Sequence, residues 1–133
     1  MTKWMELATV LVVEKDILVR QPLAQYLRDC GYHVWEAVDG DEARAALSSG
    51  RHTVDVALIG VKSLPSESGF GLASWIRIHQ PEVKVLLGGT ITKVLELAGD
   101  LCNDAPDGRL DHRTVLDHIR RLLAARDRAG RTS

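Results

Sequence analysis

The chain has 133 residues, 17 basic and 18 acidic, and a formal net charge of −1, a length that suits one domain around one core. That balance lacks the basic excess with which proteins neutralise nucleic-acid phosphates, and no run of about 18 apolar residues offers a membrane span. Residues 1–6 carry Lys3 and Glu6 without an apolar run of signal length, so the expected location is the cytoplasm.

In chain order, residues 7–13 form the first β-branched, apolar run and are predicted as a strand. Leu23, Tyr26, Leu27 and Cys30 then share one helical face, with Pro22 expected inside the first turn of its helix and Gly31 at a turn. Residues 33–37 and 54–59 are the next two strands, and Gly40 and Gly50 are assigned to turns. Leu72, Trp75, Ile76 and His79 form a second helical stripe, residues 83–87 a fourth strand, and Ile91, Val94, Leu95, Ala98, Leu101 and Cys102 a third stripe. Residues 104–110 are mostly turn formers, so they predict either a loop or a vestigial fifth strand. Val115, Leu116, Ile119, Leu122 and Leu123 make a last helix with Asp111 as N-cap. Strands alternating with helices predict an α/β fold, a parallel sheet wrapped by helices.

Little else suggests chemistry. Cys30 and Cys102 lie in apolar helical patterns without a CxxC, and they are expected to be core thiols in a reducing compartment. The five histidines are scattered, and His112 and His118 do not share a helical face, so no metal is expected. Glycine-rich phosphate loops and dinucleotide fingerprints are absent, and no cofactor is expected. The arginines 120, 121, 126, 128 and 131 are opposed only by Asp127. They read as a solvated helix end that complements the helix dipole rather than as a nucleic-acid arm.

Four motifs occur in order: Val10-Leu11-Val12-Val13-Glu14-Lys15-Asp16, Leu27-Arg28-Asp29-Cys30-Gly31-Tyr32, Ala37-Val38-Asp39-Gly40-Asp41-Glu42-Ala43, and Ser68-Gly69-Phe70-Gly71-Leu72 leading into Trp75-Ile76-Arg77. Through them, residues 9–126 resemble the receiver domain of bacterial response regulators, which accepts a phosphoryl group on aspartate from a histidine kinase. The resemblance implies a doubly wound, flavodoxin-like parallel sheet of order 2-1-3-4-5, its fifth strand short or vestigial, with the pocket at the carboxyl ends of the strands. Residues 1–8 would be an N-terminal extension and residues 127–133 a polar tail.

Carried over position by position, the resemblance implies a degenerate phosphorylation pocket at Glu14, Lys15, Gly60, Gly88 and Arg109. Where the family holds Mg²⁺ with a pair of acids, this chain has Glu14-Lys15. An inward ammonium would oppose the cation by roughly 4 kcal/mol per pair of unit charges at about 4 Å and an effective dielectric near 20. The alternative is a solvated Lys15 beside Glu14 or Asp16. The acceptor aspartate falls on Gly60, which offers no nucleophile. The switching hydroxyl falls on Gly88-Gly89, with Thr90 two places on, and Arg109 is the nearest match to the family's lysine, with a longer, planar head. Asp55 belongs roughly 16 Å away at the other end of its strand, and Asp16 is expected to cap the first helix. Asp104 and Asp107 read as turn residues, and Pro65 implies a loop one residue longer than the family's. Rebuilding the chemistry is expected to need Lys15→Asp, Gly60→Asp, Gly88→Thr and a lysine at 109 together.

The reading is therefore a stand-alone, degenerate receiver in two-component signalling, not an enzyme, that works as a phosphorylation-independent protein-binding module. Its expected partner is a histidine kinase or another regulator, docked through Ile17, Leu18 and Gln21. A bare fourth-strand edge, beside the apolar stripe of the fourth helix, would favour a homodimer through that side. Two alternatives stay open: a phosphorylatable switch with a non-standard acceptor, and a small-ligand binder in the glycine-lined hollow.

Overall fold

The strands are short apolar runs, and where both faces of a run are buried the chain has a central parallel strand. This holds for β1 (Thr9–Val13) and β3 (Val56–Gly60), each buried along nearly its whole length. The computed structural model describes residues 8–50, 53–61 and 69–103. In it β1 lies between β2 (His33–Ala37) and β3, and β3 pairs with β4 (Lys84–Gly88), all parallel, in the order β2-β1-β3-β4. The helices are α1 (Ile17–Asp29), α2 (Gly40–Ser48), α3 (Gly69–His79) and α4 (Ile91–Asn103).

The period-two alternation of the strands divides the core into two layers. Val10, Val12 and Leu58 pack with Leu23 and Leu27 of α1 and with Leu95 and Ala98 of α4. Leu11, Val13, Ala57 and Ile59 pack on the other face with Ala43 and Leu47 of α2 and with Leu72 and Ile76 of α3. No helix among the described residues is long and apolar enough to cross a membrane.

Side chains cap α1 and α2 where the chain leaves β1 and β2. Asp16 caps α1, its carboxylate accepting from Leu18 N at 2.9 Å. Asp39 caps α2 by accepting from Glu42 N at 2.8 Å, while Glu42 reaches back to Val38 N at 3.3 Å. Glu42 thus holds the residue before the cap, and the assignment of Gly40 to a turn is corrected, since Gly40 opens α2. Gly31 and Gly50 do occupy the left-handed region, at φ 106° and 69°.

Other expectations change as well. β2 has the predicted bounds, while β1, β3 and β4 start later than predicted, and β3 and β4 run one residue further because Gly60 pairs with Gly88 at the end of the ladder. Asp55 precedes β3, yet it ties the sheet's other end: its N–H donates to Thr9 O at 2.9 Å and its carboxylate accepts from Thr9 N at 2.8 Å. Pro22 sits in the second turn of α1, not the first. It withholds an N–H from the carbonyl of Leu18, on a turn whose side chains Ile17, Leu18 and Gln21 are exposed to solvent. His79 is exposed rather than part of the α3 stripe, stacking on Trp75 with ring centroids 4.7 Å apart.

The two cysteines are not free thiols. Cys30 at the end of α1 and Cys102 in the last turn of α4 are fully buried and joined in a disulfide, with Cα atoms 5.5 Å apart. Helices on the same face of the sheet meet at these ends, which their separation of 72 positions in sequence conceals. The apolar stripe of α4 faces this core, with Val94, Leu95, Ala98, Leu101 and Cys102 all buried. It is thus closed to a second copy of the chain, which leaves only the β4 edge of the argument for a homodimer. Residues 104–110, Asp111 and the last predicted helix lie outside the described residues, as do Pro65 and the arginines from 109 onward.

Candidate functional site at the carboxyl ends of the strands

Parallel strands in this order finish side by side, so the segments leaving β1, β3 and β4 meet at one edge of the sheet. There Glu14, Asp16, Gly60, Gly88, Thr90, Ile91 and Val94 line a hollow of about 120 Å³. Of the five pocket residues predicted from sequence, Glu14, Gly60 and Gly88 come together in it. Lys15 is exposed beside them, which favours the solvated alternative for its side chain, and Arg109 lies outside the described residues. A larger open groove of about 440 Å³ lies at the opposite, amino-terminal end of the strands, lined in part by Thr9, His33 and Thr53.

Glu14 is buried, with 3% of its surface exposed. Its N–H continues the ladder to Ala37 O at 3.0 Å, and its carboxylate accepts from Asp16 N at 3.0 Å. Arg20 fastens the loop from behind, donating to Glu14 O at 3.0 Å and Lys15 O at 3.2 Å and pairing with Glu36 at 3.1 Å. Nothing in the sequence pattern pointed to Arg20, because its acceptors are mostly backbone carbonyls.

A receiver's Mg²⁺ requires a cluster of oxygen ligands, chiefly carboxylates. Here the Glu14 carboxylate bonds the loop backbone, the Asp16 carboxylate caps α1, and Gly60 supplies none. These residues do not fit that metal site.

The β4 end departs further from the expected pocket. A Cβ on Gly88 would lie 2.4 Å from Val94 Cγ2, 2.9 Å from Val94 N and 3.0 Å from Val94 Cα. Two of these are backbone atoms of α4, so the helix occupies the space of a side chain at 88, and the idea that Gly88→Thr would help to rebuild the pocket is corrected. Thr90 is engaged elsewhere, its hydroxyl accepting from Lys93 N at 3.1 Å and its carbonyl from Val94 N at 3.0 Å. It is a helix cap, and its place just before the α4 stripe is the signal that would have revealed this.

Known proteins agree with this architecture. Residues 10–98 match the response regulator receiver domain family. The transcriptional regulatory protein GltR of Pseudomonas aeruginosa is 36% identical over 72 residues, covering 54% of this chain and 28% of that protein. AruR of the same organism is 29% identical over 96 residues, 70% of this chain and 39% of that protein. The chain thus spans well under half the length of these curated relatives. Among solved structures, a CheY-like receiver from Methanospirillum hungatei superposes with a TM-score of 0.58 at 21% identity, covering 92% of this chain and 98% of its own. The complex of histidine kinase ThkA with response regulator TrrA contains a chain matched at 28% identity and a TM-score of 0.56, covering 61% of this chain and 67% of that one. The family match spans more than half of the sequence and the sheet order agrees with it, so the chain belongs to the response regulator receiver domain family of two-component signalling.

Proposed function

We propose that this receiver works without phosphoryl transfer, as a binding module for another signalling protein. The observation that carries this reading is Gly60, which stands at the end of β3 where the family's acceptor aspartate falls and has no group to attack phosphorus. The Gly88–Val94 contact and the capping of α4 by Thr90 support it, since neither leaves a hydroxyl on β4 to report a phosphoryl group. The small-ligand alternative has weaker support, because a hollow of about 120 Å³ is far smaller than a usual ligand pocket of roughly 300–1,000 Å³.

The docking surface proposed is the start of α1, where Ile17 and Leu18 are 51% and 53% exposed and Gln21 lies one turn on. A histidine kinase or another regulator in the cytoplasm is the proposed partner. TrrA, in its complex with the kinase ThkA, is the relevant likeness.

Intact-mass measurement after incubation with acetyl phosphate and Mg²⁺ tests the reading. Unchanged mass is expected; a stoichiometric, acid-labile adduct of one phosphoryl group would establish the switch with a non-standard acceptor instead. For docking, Ile17→Asp with Leu18→Asp should abolish co-purification with the cognate kinase, and undiminished capture by this variant would move the interface elsewhere.

A further inference from the structure

The disulfide connects two helices that otherwise touch through apolar side chains. On α1 it holds the cap residue Cys30, followed by Gly31 in the left-handed region. On α4 it holds Cys102, next to Leu101, whose carbonyl accepts from the Tyr32 hydroxyl. Bond and hydrogen bond thus act on the same turn. The other end of α4 is held differently, by Val94 against Gly88 and by the Thr90 cap, and that end walls the hollow. Each end of α4 therefore has its own attachment, and only the carboxyl end depends on sulfur.

We propose that Cys30 and Cys102 form a redox latch that fixes the carboxyl-terminal turns of α4 to α1 when oxidised and frees them when reduced. The reductant is a dithiol. One of its thiolates attacks a protein sulfur, breaking the Cys30–Cys102 bond, forming a mixed disulfide and expelling the other cysteine as thiolate. Its second thiol then resolves the mixed disulfide and the reductant departs as its own disulfide. Two electrons pass to the protein, and two protons end on Cys30 and Cys102. Both cysteines are fully buried, so the first attack waits for α4 to open locally and the latch responds slowly. Disulfides inside cells are mostly transient and redox-sensing, so a receiver in the cytoplasm would carry this bond only under oxidising conditions. After reduction α4 keeps Val94, Leu95 and Ala98 in the core and its Thr90 cap. The change is thus confined to the last turns, and the sheet is untouched.

The full chain is equilibrated with reduced and oxidised dithiothreitol at a series of ratios, and thiols are counted by alkylation and mass spectrometry while amide hydrogen exchange is followed. A reversible two-electron transition is expected, with amide exchange in the last turns of α4 about tenfold or more faster in the reduced form and exchange in β1 and β3 unchanged. The variant Cys30→Ala with Cys102→Ala should reproduce the reduced pattern in oxidising buffer; if it does not fold, the wild-type titration alone decides. Free thiols under fully oxidising ratios, or equal exchange in α4 in both forms, would overturn the proposal. So would loss of protection throughout β1 and β3 on reduction, which would make the bond a structural staple.

Discussion

Val94 fills the space that a side chain at Gly88 would need, bringing both its own side chain and the α4 backbone against β4. A methyl group at 88 must push the helix, whereas nothing lies within 4 Å of a Cβ on Gly89. Gly88→Ala should therefore cost about 1–3 kcal/mol through overpacking, and Gly89→Ala less than about 0.5 kcal/mol. Urea unfolding of the two variants makes the comparison. Adding Val94→Ala should rescue Gly88→Ala only in part, because the backbone contacts remain.

Thr90 allows a similar contrast. Thr90→Ala removes the acceptor for Lys93 N and should cost about 1 kcal/mol, while Thr90→Ser keeps it and should be close to neutral. Circular dichroism melts measure both.

Arg20 is mostly buried and serves the carbonyls of Glu14 and Lys15 as well as the Glu36 carboxylate. Arg20→Ala removes three hydrogen bonds, although Glu36 keeps its pairing with Arg28 at 3.3 Å, and a loss of about 1–3 kcal/mol is expected in chemical denaturation. Arg20→Lys should recover little of it, because a single ammonium lacks the planar fork that spans the three acceptors.

Burial pushes the Tyr26 hydroxyl up from 10.0 to about 12. An unfolded chain releases this proton near pH 10 while the folded one still holds it, so the unfolded state binds fewer protons and stability falls as pH rises. The contribution is intact below pH 10 and is lost progressively between 10 and 12. Absorbance at 295 nm should show a tyrosine transition near pH 12 that is absent in Tyr26→Phe. The same variant should flatten the decline of the melting temperature above pH 10.

Much of the fold was legible because its signals are local. The runs around Val10–Val13 and Leu58–Ile59 and the stripes of α1 and α4 are periodic over a few residues, and burial follows the period. No apolar stripe marked α2, although Asp39 and Glu42 carried its cap, since a helix of nine residues rich in alanine offers little apolar contrast. At the site, the sequence puts Gly60 where the resemblance expects the acceptor, a matter of residue type at one aligned position, and the structure places Gly60 in the hollow. The Cys30–Cys102 bond, the clamp of Arg20 on loop carbonyls and the approach of Val94 to Gly88 could not be read. Each joins parts of the chain whose distance is decided by the packing of whole helices, or uses backbone atoms that no sequence pattern marks.

The Gly88–Val94 contact also constrains how such a chain could change over time. A codon change at 88 that introduced a hydroxyl would meet the α4 backbone, so the variant would lose stability. A change at 60 alone would put a carboxylate in a hollow without the cation ligands to use it. A side chain at 88 therefore waits on a shift of α4 away from β4, whereas position 89 is open to one. Helix packing thus decides which of two adjacent glycines can take a side chain without moving α4.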